Sequence, residues 1–105
     1  MQLYGLKSCD TCRKALKELV DATFVDVRTD GVPPDVITAA LSLFGDALVN
    51  TRSTTWRGLN TEERQASPEA LLATHPTLMK RPLIVSGANM YLGWTADVKA
   101  ALTAA

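Results

Sequence analysis

An α/β fold is what this sequence predicts, and three observations predict it. A short apolar opening, Leu3, Tyr4 and Leu6, hands over to a helical stripe. A second apolar run, Phe24, Val25 and Val27, follows that stripe. Late in the chain, Leu83, Ile84 and Val85 face Met90, Tyr91 and Leu92 across a turn at Gly87, ahead of a final amphipathic stretch. The order is β-α-β, a helical middle, then β-β-α. A crossover helix makes the first two strands parallel and a hairpin makes the last two antiparallel, so the expected sheet is mixed and four-stranded.

In the first strand Gly5 reads as a break. From Thr11 the period changes: Cys12, Ala15, Leu16, Leu19 and Val20 fall at i, i+3, i+4, i+7 and i+8, one stripe of a helix. Asp10, Arg13, Lys14, Lys17, Glu18 and Asp21 occupy its other face. Asp26 interrupts the second strand. After Gly31 and Pro33-Pro34, the residues Val36, Ile37, Ala40, Leu41 and Phe44 form another stripe, stopped by Gly45. Residues 46–59, DALVNTRSTTWRGL, read as a polar loop. Asn60 with Glu63 is a capping box for a brief helix, and Ser67-Pro68 opens a second that Pro76 limits. Thr95 is placed to cap a last helix with the stripe Val98, Ala101, Leu102 and Ala105.

A chain of 105 residues with 47% hydrophobic residues supplies one compact core and gives no case for disorder. Eleven basic and eleven acidic residues cancel, which argues against direct nucleic-acid binding or attraction to an anionic membrane surface. No secretory leader and no membrane-spanning run is seen, so a cytoplasmic, reducing compartment and a monomer are the expectations. In that compartment a C-x-x-C is not a permanent structural disulfide.

Cys9 and Cys12 are the only cysteines, and they straddle the strand-to-helix junction. A lone C-x-x-C is half a metal site, a redox pair or two incidental thiols. A zinc site needs about four ligands, and His75 alone accompanies the cysteines, so no metal is expected. The same lone histidine gives no Cys–His protease pair. Arg13 follows Cys9 by four positions, which does not fit the C-x5-R phosphatase loop. Placed at a strand-to-helix junction, the pair points to thiol–disulfide chemistry, with two incidental buried thiols as the alternative.

Helical spacing makes the two thiols unequal. Cys12 falls on the buried stripe. Cys9 precedes the first turn, where unpaired amides and the positive end of the helix dipole favour a thiolate. Lys7 and Arg13 add positive charge, and Asp10 opposes them. Cys9 is therefore the candidate nucleophile and Cys12 the resolving thiol. Trp56 and Trp94 read as core or rim aromatics.

This element order with C-x-x-C opening the first helix resembles the thioredoxin superfamily. The segments YGLKSCDTCRKAL, NTRSTTWRGLN and HPTLMKRPLIV narrow it: the chain resembles the arsenate reductase ArsC/Spx family, especially its YffB-like branch, over nearly its whole length. The resemblance implies a single thioredoxin-like domain, residues 1–105, with a helical insertion at about 33–78. It makes Cys9 the catalytic cysteine, Arg13, Arg52 and Arg81 the anion-binding arginines, and Pro82 a cis-proline facing the active-site turn. Guanidinium groups suit that task because they hold oxyanions and carboxylates bidentately.

The implied activity is that of a glutathione-linked thiol oxidoreductase. Its substrate is a small-molecule or protein disulfide, a glutathione conjugate or an oxyanion such as arsenate. Glutathione is the implied co-substrate, glutaredoxin or thioredoxin the implied protein partners, and no tightly bound cofactor is implied. The alternative is an Spx-like redox regulator that binds RNA polymerase. Arsenate reductases carry a further arginine after the fourth strand, whereas residues 89–99, NMYLGWTADVK, have none.

Overall fold

The computed structural model describes residues 1–103, so the expected contribution of Ala105 to the last stripe lies outside the described residues. In chain order the elements are β1 (Gln2–Gly5), α1 (Asp10–Glu18), β2 (Thr23–Asp26), α2 (Val27–Asp30), α3 (Pro34–Phe44), α4 (Thr54–Arg57), α5 (Thr61–Arg64), α6 (Pro68–Thr74), β3 (Leu83–Ser86), β4 (Asn89–Leu92) and α7 (Ala96–Thr103). Short 3-10 turns cover Gly45–Leu48 and Pro76–Leu78. The chain forms two compact units. One joins Met1–Asp30 to the segment from Arg81 onward, and the other is Gly31–Lys80.

The first unit is built on a mixed sheet in the order β2-β1-β3-β4, with β1 and β2 parallel and the other pairs antiparallel. Register sets the core. Leu3 pairs with Phe24 on one side and Ile84 on the other, and Ile84 pairs with Tyr91. Side chains alternate between sheet faces, so these four form one apolar row. Leu3 and Ile84 are fully buried, together with Cys12 and Ala15 of α1 and, nearly so, Leu19. Val98 and Leu102 of α7 pack against the same cluster, as does Trp94, so this tryptophan is part of the core's rim. Each fully buried aliphatic side chain here contributes roughly 1.5–3 kcal/mol.

Three expectations need correction in this unit. Gly5 does not break β1 but is its last residue, paired with Asp26. Val27 is not in β2: the Asp26 carboxylate accepts from the amides of Arg28 and Thr29, which turns the chain into α2 and buries Val27 there. Val20 is not on the buried stripe, because α1 ends at Glu18 and Val20 lies beyond it, 83% exposed. The cap of the last helix is present, with the Val98 amide donating to the Thr95 hydroxyl.

In the second unit α3 buries Ile37 and Ala40 and stops at Gly45, whose φ of 57° is left-handed. Residues 46–59 are not a featureless polar loop. Leu48 is fully buried, Val49 bridges Met79, and the Lys80 amide donates to the Leu48 carbonyl at 2.7 Å. Ser53 then caps α4 by accepting from the Trp56 amide, and Arg64 covers the Trp56 ring at 5.3 Å. Ser67 caps α6 as its sequence indicates.

The capping box of α5 is complete: the Glu63 amide donates to Asn60 Oδ1 at 2.8 Å and the Asn60 amide donates to Glu63 Oε1 at 3.0 Å. Asn60→Ala removes the first bond, and the expected loss is about 1 kcal/mol of stability in urea unfolding. An Asn60→Ala midpoint equal to that of the parent would show that the box adds nothing.

Candidate active site

The site starts from the way β1 hands over to α1. The chain leaves the sheet after Gly5, buries Leu6, and turns so that the Cys9 amide donates to the Leu6 carbonyl at 3.1 Å. Cys9 takes extended backbone angles, φ −81° and ψ 118°, as the N-cap of α1, and its carbonyl receives the Arg13 amide at 3.0 Å. Its sulfur therefore stands at the open, amide-rich end of a nine-residue helix, half-buried. Cys12, one turn on, points into the core and is fully buried. Both thiols are free.

The room for Cys12 comes from Gly5. A Cβ at Gly5 would stand 2.4 Å from the Cys12 sulfur and 3.3 Å from its Cβ. No left-handed φ occurs at this glycine; what it provides is the missing side chain. An isolated glycine in an apolar strand is the sequence signal of such a close approach, and the reading of Gly5 as a strand break missed it.

The third component is the segment entering β3. The Arg81–Pro82 peptide is cis, as the resemblance implied, and Pro82 is fully buried. The Gly93 amide, at the end of β4, donates to the Pro82 carbonyl at 2.8 Å and ties this segment to the sheet. Arg81 is half-buried, with its guanidinium directed at the Cys9 sulfur.

These neighbours set the two thiols apart. At Cys9 partial burial pushes the pKa up, but the Cys12 amide, the Cys12 thiol and the hydrogen bond and charge of Arg81 outweigh it, so Cys9 titrates below its ordinary value. At Cys12 burial dominates. The thiolate of Cys9 adds to it, and the thiol is pushed up to about 12. Cys12 therefore keeps its proton and donates to Cys9, and Cys9 is the first of the pair to ionise. Helical spacing implies the same division, but the groups that lower Cys9 are Cys12 and Arg81. Arg13 is instead ion-paired with Asp10 on the exposed face of α1.

Of the other residues singled out, Arg52 is exposed in the second unit, where its amide donates to Asn50 Oδ1 and its carbonyl accepts from Arg57. His75 belongs to that unit as well, 3.8 Å from the Glu63 carboxylate. Among the described residues no cluster of His, Cys, Asp and Glu is arranged to hold a metal ion, and no helix is long and apolar enough to cross a membrane.

The sequence profile of the ArsC family matches residues 4–102. The chain belongs to the ArsC family. An uncharacterized protein of Haemophilus influenzae is 41% identical over 101 residues, covering 88% of this chain and 89% of that one. The global transcriptional regulator Spx of Streptococcus pyogenes is 28% identical over 90% of this chain and 78% of its own length. Among solved structures, the YFFB protein superposes with a TM-score of 0.86 at 28% identity, covering 98% of each chain. A possible arsenate reductase from Streptococcus mutans does so with a TM-score of 0.73 at 27% identity, covering 93% of this chain and 96% of that one. The fold is thus the thioredoxin-like fold of this family, and the mixed sheet carries Cys9 at its first strand-to-helix turn.

Proposed function

We propose that this ArsC-family chain is a thiol oxidoreductase whose nucleophile is Cys9. The observation that carries the reading is the inequality of the thiols: Cys9 is accessible with a lowered pKa, and Cys12 is buried, protonated and adjacent. In the first step the Cys9 thiolate attacks one sulfur of a disulfide. A Cys9–substrate disulfide forms as the substrate's S–S bond breaks, and one substrate thiolate leaves. In the second step Cys12 loses its proton to the solvent or to the departing thiolate and attacks the Cys9 sulfur. The internal Cys9–Cys12 disulfide forms and the second substrate thiol is released. Two thiols are oxidised and one disulfide is reduced.

Glutathione, as oxidised substrate or as the thiol that restores Cys9 and Cys12, matches this chemistry, and glutaredoxin or thioredoxin would serve in its place. Arg81 steers the anionic part of the substrate. Arg13 takes that role on releasing Asp10, and Arg52 is the further family position for it. For arsenate the same Cys9 thiolate would attack arsenic and expel one oxygen as hydroxide, leaving a Cys9–arsenate thioester with arsenic still at the +5 level. The arginine-free stretch after β4 favours disulfides and glutathione conjugates over that oxyanion.

Oxidised glutathione with the Cys12→Ser protein tests the sequence of steps. Mass spectrometry is expected to show a stable glutathione adduct on Cys9, whereas the parent passes on to the internal disulfide. A Cys12→Ser protein that gathers no adduct overturns the scheme. The likeness to Spx supports a second reading, a redox switch read by RNA polymerase without turnover. A pull-down with the C-terminal domain of the α polypeptide of RNA polymerase, under reducing and oxidising conditions, separates the two: capture that depends on the redox state favours the switch.

A further inference from the structure

α1 carries more than the nucleophile. Its solvent face holds Arg13, Lys14 and Lys17, and Lys99 of α7 faces the same side through its 3.0 Å ion pair with Glu18. Two adjoining hollows follow this face. The first, about 440 Å³, begins one residue after Cys9 and is lined by Asp10, Arg13, Lys14 and Lys17. The second, about 470 Å³, shares Lys14 and Lys17 and continues to Glu18, Trp94 and Lys99. Asp10 neutralises Arg13, and Glu18 neutralises Lys99. Among the described residues Lys14 and Lys17 make no ion pair. Two unpaired ammonium groups therefore stand at the shared wall of a trough along the helix that Cys9 caps, on a chain whose net charge is zero.

Helical rise places Lys14 roughly 7 Å and Lys17 roughly 12 Å along the axis from Cys9. From this arrangement we infer that Lys14 and Lys17 form a subsite for carboxylate groups of the disulfide that Cys9 attacks, so that the preferred substrates are anionic disulfides. The inference rests on the proposed nucleophilic role of Cys9 and adds a substrate class to it. It also adds to Arg13, which is engaged by Asp10, two unpaired cations further along the helix. Ammonium groups on flexible stems suit this work, because they follow a carboxylate without demanding the planar geometry of a guanidinium.

Three disulfides of nearly equal size separate charge from reactivity: 3,3′-dithiodipropionate carries two carboxylates, cystamine two ammonium groups and 2-hydroxyethyl disulfide no charge. Each is given in excess to the reduced protein at low ionic strength, and loss of the Cys9 thiol is followed by quenched alkylation and mass spectrometry. The parent is expected to react with the dianion faster than with the neutral disulfide, and slowest with cystamine. In Lys14→Gln/Lys17→Gln the dianion-to-neutral rate ratio should fall by about fivefold, and added salt should lower the same ratio in the parent. A ratio unchanged by the double substitution overturns the subsite, even where the neutral disulfide reacts well. A parent inert to all three disulfides overturns the nucleophilic role of Cys9 and the subsite with it. Because the readout is a ratio within each protein, a general loss of stability in the variant does not imitate the effect.

Discussion

Cys9→Ser is expected to abolish disulfide exchange, lowering the rate of mixed-disulfide formation by about a thousandfold or more, since a serine hydroxyl does not supply the thiolate and Cys12 is buried and protonated. The companion measurement is the pH profile of Cys9 alkylation by iodoacetamide, a neutral reagent that leaves substrate attraction out of the result. The thiolate is the reacting form, so the rate rises with pH and levels off above the pKa. Burial pushes that pKa up. The Cys12 amide and thiol and Arg81 push it down further than burial raises it, so the midpoint should fall below that of an ordinary cysteine.

Arg81→Met removes a hydrogen bond and a positive charge from the thiolate together, and should move the midpoint upward. The direction follows from the charge: a thiolate that loses its cation binds its proton more tightly. A profile that does not move in Arg81→Met would show that the guanidinium plays no part in activating Cys9. A Cys9→Ser protein that still exchanges disulfides would remove the basis of the proposed function.

The capping signals were legible because they are local: Asn60 with Glu63 and Ser67 with Pro68 satisfy helix amides within three residues of themselves. The buried stripe of α1 was legible for the same reason, and with it the difference between Cys9 and Cys12. What escaped depends on partners distant in sequence. Leu48 and Val49 read as loop because two apolar residues set no period, whereas hydrogen bonding and bridging to residues 78–80 hold them in place, Leu48 fully buried and Val49 partly so. Arg81 lies 72 positions from Cys9, so helix-local reasoning credited Lys7 and Arg13 with the charge that Arg81 supplies. The family resemblance pointed to Arg81 and Pro82, and physical pattern alone had no means of doing so.

Gly5→Val should cause the largest loss of stability among the substitutions considered, because Gly5 and Cys12 share one small volume between β1 and α1. The new Cβ alone would lie 2.4 Å from the Cys12 sulfur, 3.3 Å from its Cβ and 3.4 Å from the Leu3 side chain. Cys12 is fully buried, so the sulfur has no solvent to turn into and the contact is relieved only by displacing Cys12 or α1. Overpacking of this kind costs about 1–3 kcal/mol, and the two further methyl groups of valine add to it. Gly5→Ala isolates the first part. Unfolded-chain entropy favours alanine over glycine by about 0.4–1 kcal/mol where the backbone permits it, and Gly5 has no positive φ. A net loss in Gly5→Ala therefore reports the clash with Cys12 rather than the backbone. The decisive comparison is the double-substitution cycle with Cys12→Ala, read by denaturant unfolding under reducing conditions. Removing the sulfur should recover about 1 kcal/mol or more of the Gly5→Ala loss. A cycle that closes without coupling would mean that α1 accommodates the methyl group elsewhere, and that Gly5 is not what makes room for Cys12.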